Sequence, residues 1–114
     1  MMQTYPYEID YYVADTGKKP FKDWLEGLKD LSGRAKIRVR LDRIRLGNLG
    51  DNRSVGEGVL ELRIDYGPGY RVYFAIDGNR LILLLLGGDK SSQERDVAKA
   101  KVYWRDHQRR SIHD

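Results

Sequence analysis

The chain has 114 residues, a third of them charged, with 21 Lys and Arg against 17 Asp and Glu and a net charge of +4. That length suits a single domain, taken as 1–114, with a core of useful size. The absence of cysteine excludes disulfides and thiolate metal sites, and the longest apolar run, Leu81–Leu86, is far too short to cross a bilayer.

The excess of positive charge is modest, so its placement matters more than its sum. A basic surface favours an anionic partner, and nucleic acid is the commonest. The start, Met1-Met2-Gln3-Thr4-Tyr5, carries no apolar signal segment, so a cytoplasmic protein without membrane contact is expected.

Tyr5 to Val13 alternates, with Tyr7, Ile9, Tyr11 and Val13 on one side, and reads as a strand. After a loop over Asp15–Lys19, Pro20 opens a helix, because its missing N–H is not needed at the first position. Phe21, Trp24, Leu25, Leu28 and Leu31 follow helical spacing and form a core-facing stripe. Ser32-Gly33 is expected to break this helix, with Ser32 as N-cap of the next.

The second helix is expected from about Arg34 to Leu46, with Ile37, Leu41 and Ile44 as its apolar stripe. Arg34, Lys36, Arg38, Arg40, Arg43 and Arg45 surround that stripe, with Asp42 the only acid among them. Two readings stand: a solvated face, or a face that binds the phosphates of RNA. Gly47 fits the position just past the helix end. Leu49 to Gly58 reads as a Gly-rich loop that lacks the Gly-Lys-Ser/Thr of a P-loop.

From Val59 to Lys90 the pattern is strand, turn, strand, turn, strand. Gly67-Pro68-Gly69 and Asp77-Gly78 are the breaks between them. In the first strand Leu60, Leu62 and Ile64 share one face, and Glu61, Arg63 and Asp65 share the other. In the second, Val72, Phe74 and Ile76 are the apolar set, with Arg71 and Tyr73 opposite. The third is apolar on both faces and belongs inside the sheet. Hairpin pairing then brings Arg63, Arg71 and Lys90 to one end of the sheet, with Glu61 and Tyr73 a step further in.

Ser91 and Ser92 are candidate caps for a last helix, whose apolar stripe is Val97, Ala100 and Trp104, with Tyr103 beside it. The polar stretch 105–114 is expected to fray, and His107 and His113 within it are discounted as catalytic residues. The fold class is therefore α+β: a small, mainly antiparallel sheet of about four strands in the order β-α-α-β-β-β-α.

With no cysteine, and no histidine in the expected core, catalysis falls to Lys, Arg, Tyr, Asp and Glu. Those groups suit metal-free RNA cleavage, in which the ribose 2′-OH attacks the adjacent phosphate, and no cofactor is expected. Arg63 and Arg71 would stabilise the developing charge. Lys90, among other cations, would exchange protons more readily. Glu61 is the candidate base, and Tyr73 would position or stack a nucleobase. The same spacing also allows Glu61 and Arg63 merely to neutralise each other on an exposed sheet face.

Several phrases carry a resemblance: Phe21-Lys-Asp-Trp24-Leu, Gly47-Asn48…Gly50-Asp51, Val55-Gly-Glu-Gly-Val59-Leu-Glu-Leu-Arg63, Gly67-Pro-Gly-Tyr-Arg71-Val-Tyr73-Phe, and Gly87-Gly-Asp-Lys90-Ser-Ser-Gln93. Together they resemble the addiction-module killer proteins, the phage Gp49-like, HigB-type branch of the RelE/ParE toxin superfamily, over Tyr5 to Trp104. The resemblance implies a toxin of a type II toxin–antitoxin module that cuts mRNA on the ribosome and so inhibits translation. Its antitoxin would be a helix-turn-helix protein, through which alone operator DNA is contacted. It also implies that Arg71, in the Gly-Tyr-Arg pattern, is the central site residue, with Arg63 and Lys90 at neighbouring basic positions. The tyrosine or histidine that several such nucleases carry near the C-terminus has no match here. That departure keeps two alternatives: a ParE-like, non-nuclease poison of DNA gyrase, and a decayed module that only binds its antitoxin.

Overall fold

Three strands form the antiparallel meander that the alternation predicts: β3 (Val59–Ile64), β4 (Tyr70–Asp77) and β5 (Leu81–Asp89). They belong to a computed structural model that describes residues 5–112, so His113 and the segment Met1–Thr4 lie outside the described residues. In chain order β1 is Glu8–Tyr11, α1 Pro20–Gly27, α2 Leu31–Arg45, β2 Asn52–Gly56, and α3 Gln93–Ile112. The sheet order is β1-β5-β4-β3-β2, with β1 parallel to β5 and the other pairs antiparallel. The class is α+β, as expected, but the sheet has five strands.

The additional strand, β2, lies in what reads as a Gly-rich loop. Its side chains are mostly exposed, so no apolar alternation announces it. It pairs with β3 through a tight turn at Glu57 and Gly58, both with positive φ (58° and 88°). Two consecutive positive φ angles are the geometry that suits the twist of a hairpin.

The helix break also shifts. Helix α2 begins at Leu31, and Asp30 is its N-cap, its Oδ1 accepting from the Gly33 amide at 2.9 Å. Ser32 and Gly33 thus lie inside the helix. Gly33 is there for close packing: a Cβ on it would sit 2.6 Å from the Tyr70 ring. Leu31, counted with the core stripe, is exposed.

The sheet is covered on both faces, which produces two cores. Helices α1 and α2 bury Phe21, Leu25, Ile37 and Ile44 against Leu62, Ile64, Val72, Phe74, Ile82 and Leu84. Helix α3 buries Ala100 and Trp104 against Val59, Tyr73, Ala75, Leu83, Leu85 and Leu86. A bulge between Tyr73 and Phe74 lets Leu85 and Leu86 both join the second core. At the end of β5, Gly87 accommodates the Trp24 ring and Gly88 the Asp96 carboxylate, where an added Cβ would lie 2.1 and 2.0 Å from them. Helices can therefore approach both faces of the sheet at that end.

Helix α3 continues through Ile112, beyond the expected fraying point. Asp106 explains this, because it accepts from the Tyr12 hydroxyl (2.6 Å), Arg109 (2.9 Å) and Arg110 (2.8 Å). His107 is held as well, 2.7 Å from Asp77 and stacked on Trp104. No described helix is long and apolar enough to cross a membrane.

Candidate functional site

Strand register builds the site. Arg63 on β3 stands opposite Arg71 on β4, and Tyr70 stands opposite Asp89, one residue before Lys90. The Lys90 amide donates to the Gly69 carbonyl at 2.9 Å, which ties the end of β5 to the β3–β4 turn. Arg63, Arg71 and Lys90 thereby line one cleft of about 450 Å³, together with Asp51, Asp65 and the Gly67–Gly69 turn.

Each cation is held differently. Arg71 Nη1 donates to the carbonyls of Gly69 (2.9 Å) and Tyr70 (3.2 Å). Its Nε is enclosed without a hydrogen-bond partner, 4.0 Å from the Glu61 carboxylate. Arg71 is thus fixed at the wall of the cleft by the carbonyls of the β3–β4 turn on one side and by the charge of Glu61 on the other. Arg63 is fixed by Asp51 Oδ1, which accepts from its Nη2 at 2.9 Å and holds its guanidinium even more firmly charged. The Lys90 side chain is exposed. Its turn, Lys90–Ser92, is capped by Asp89, with Ser92 returning the bond, so Asp89 rather than either serine is the cap.

Glu61 is not placed as a base. Its side chain is 0% exposed. One oxygen accepts from Arg53 Nε (2.9 Å), the other from the Tyr73 hydroxyl (3.0 Å) and Gln93 Nε2 (2.8 Å). Burial pushes its pKa up, but the bonds from Gln93, Arg53 and Tyr73 prevail and hold it below the usual carboxylate range. It is an ionised anchor under the cleft with no oxygen turned to a substrate. Nor does it neutralise Arg63, which pairs with Asp51.

Tyr73 is corrected too. It is 0% exposed beneath α3, so no nucleobase reaches its ring, and its hydroxyl serves Glu61. Burial and Glu61 push that hydroxyl's pKa well up. Alternation places Glu61 and Tyr73 on the correct face, but it does not show that a helix covers that face.

The cations of α2 do not form one row. Lys36, Arg40 and Arg43 line a second cleft with Val39, Ile64 and Tyr66. Arg38 and Arg45 lie on another side, beside Ile9 and Tyr11. Arg34 is half-buried in the first turns of the helix. Arg40 serves structure: it donates to the carbonyls of Arg63 (2.7 Å) and Asp51 (3.3 Å), joining α2 to the edge of the first cleft.

Asp51, Gln93 and the Gly69 carbonyl are parts of the site that the residue pattern missed. Asp51 ends the Gly47–Asp51 phrase, but its pairing with Arg63 depends on β2, which alternation does not announce. Gln93 likewise ends the Gly87–Gln93 phrase. Among the described residues no group of three or more His, Asp or Glu side chains is placed to hold a metal.

The fold and this cleft define a small α+β protein with three cationic side chains gathered at one end of its sheet. Residues 23–106 match the model of a family described as phage derived protein Gp49-like (DUF891). A protein of Haemophilus influenzae, described only as uncharacterized, is 50% identical over 82 residues, which is 72% of this chain and 83% of its own length. The chain belongs to the phage-derived Gp49-like family, and that membership gives it a toxin–antitoxin context.

Proposed function

We propose that this protein is a RelE/ParE-type toxin of a type II toxin–antitoxin module and a metal-free endonuclease of mRNA. The observation that carries the reading is the convergence of Arg63, Arg71 and Lys90 on one cleft.

A phosphodiester in that cleft meets fixed positive charge. Attack by the 2′-OH, whose proton passes to water, forms a bond to phosphorus and gives a phosphorane with extra negative charge; the bond to the 5′-oxygen then breaks, leaving a 2′,3′-cyclic phosphate, and that oxygen takes a proton from the Lys90 ammonium. Arg71, held by the β3–β4 turn, and Arg63, held by Asp51, stabilise that charge without reorganising. Lys90 is the cation suited to exchange a proton, because guanidinium groups stay charged at any physiological pH. Glu61 acts through Arg71 as a positioning residue. The cognate antitoxin, the ribosome and translation arrest belong to the same proposal.

The test is a translating extract and, separately, a DNA gyrase supercoiling reaction, each given purified protein or its Arg71→Ala variant. Transcripts cut by the wild type and left intact by the variant, with supercoiling unimpaired by either protein, are expected. Intact transcripts with blocked supercoiling would instead establish the gyrase poison.

A further inference from the structure

The second cleft lies directly beside the first. Asp65 lines both, and Arg40, on the wall of the second, bonds to backbone of Asp51 and Arg63 on the rim of the first. Its volume, about 330 Å³, is right for one nucleotide. Its floor is apolar, from Val39, Ile64 and the Tyr66 ring, while Lys36 and Arg43 provide charge. The exposed Lys36 ammonium sits 4.8 Å from the Tyr66 ring centre, a weak contact on a flexible stem. Asp65 is exposed and has no hydrogen bond or ion pair among the described residues.

From this we infer that the second cleft holds the nucleotide next to the scissile phosphate and reads its base; the inference rests on the RNA reading of the first cleft. The base stacks on Tyr66 after Lys36 swings from the ring to the neighbouring phosphate. Arg43 adds charge on the same strand path. The Asp65 carboxylate accepts from an exocyclic amine, which favours cytosine over uracil, whose carbonyl it repels. Aromatic stacking beside cations is the general means of holding single-stranded RNA.

An acidic amphipathic helix from a protein partner is the competing occupant, because Leu31 and Val39 expose apolar surface on α2. That stripe, Leu31-Ala35-Val39, is interrupted by Arg43, whereas the cleft is continuous with the cationic site. Continuity favours the nucleotide.

The experiment is fluorescence anisotropy at low salt with fluorescein-labelled hexacytidylate and hexauridylate RNA. The proteins are wild type, Tyr66→Ala, Tyr66→Trp, Asp65→Ala and Arg71→Ala, each checked for folding by its thermal melt. Wild type should prefer the cytidine oligomer several-fold. Tyr66→Ala should weaken both by roughly five-fold or more, and Tyr66→Trp should restore them. Asp65→Ala should abolish the preference without weakening the uridine oligomer. If Tyr66→Ala fails to fold, loss of the preference in Asp65→Ala alone decides.

Unchanged binding in the Tyr66 and Asp65 variants, with loss in Arg71→Ala, would overturn the second subsite and leave the first reading standing. No RNA binding by wild type would overturn the inference, and cleavage in the translating extract would then decide the first reading separately. Tyr66-dependent binding of a labelled Glu/Leu amphipathic peptide, without RNA binding, would assign the cleft to a protein partner and overturn the inference.

Discussion

At the scale of residues, the site rests on one buried carboxylate. Glu61 gathers Arg53, Tyr73 and Gln93 and lies 4.0 Å from Arg71. Glu61→Ala would leave the Tyr73 hydroxyl and Gln93 amide without an acceptor, and should lower stability by about 2–4 kcal/mol in urea unfolding. Its pKa is lowered on folding, so the unfolded chain binds the proton more readily. The stability it contributes is complete above the ordinary carboxylate range and lost as pH falls through the lowered folded value. Unfolding measured across acid pH should therefore show a shallower loss for Glu61→Gln than for wild type. Tyr73→Phe should cost about 1–2 kcal/mol of stability and leave RNA affinity per folded molecule unchanged. A large fall in that affinity would restore a direct role to Tyr73.

At the scale of elements, the turn into α2 connects fold and site. Asp30 caps the helix and accepts from the Tyr70 hydroxyl at 2.8 Å, at the start of the strand that carries Arg71. The Gly33 amide and Tyr70 hydrogen bonds keep the Asp30 carboxyl below its usual range, while burial and Asp30 push Tyr70 up to about 12. Asp30→Ala should cost about 1–2 kcal/mol in thermal or urea melts, and Gly33→Ala should also destabilise by forcing the Tyr70 ring aside. The meander β3–β5 was legible because alternation, two breakers and one doubly apolar run agree. The edge strand β2 was not, because its side chains face solvent and its turn depends on Glu57 at positive φ. The cationic trio was legible through strand pairing. The enclosure of Glu61 and Tyr73 was not, because periodicity within a strand contains no information about which helix later covers it.

At the scale of the whole molecule, two cores hold a sheet that carries the cation-lined cleft at one end. Asp106 and Arg110 fasten the last turns of α3 to Tyr12 and Val13, just past the end of β1, and none of these four residues lines the cleft. Asp106→Ala should speed amide hydrogen exchange over the last turns before Ile112 and leave RNA binding intact. Net charge of +4 with several cations at the two clefts predicts that RNA affinity falls steeply with salt. The central claim is that this end of the sheet cuts translated RNA, and the most direct measurement maps mRNA 5′ ends in cells after brief induction of wild type and of Arg71→Ala. New ends inside translated frames, present for wild type and absent for the variant, are predicted. Growth arrest without new ends would contradict the account and make these cations a binding surface, not a cutting one.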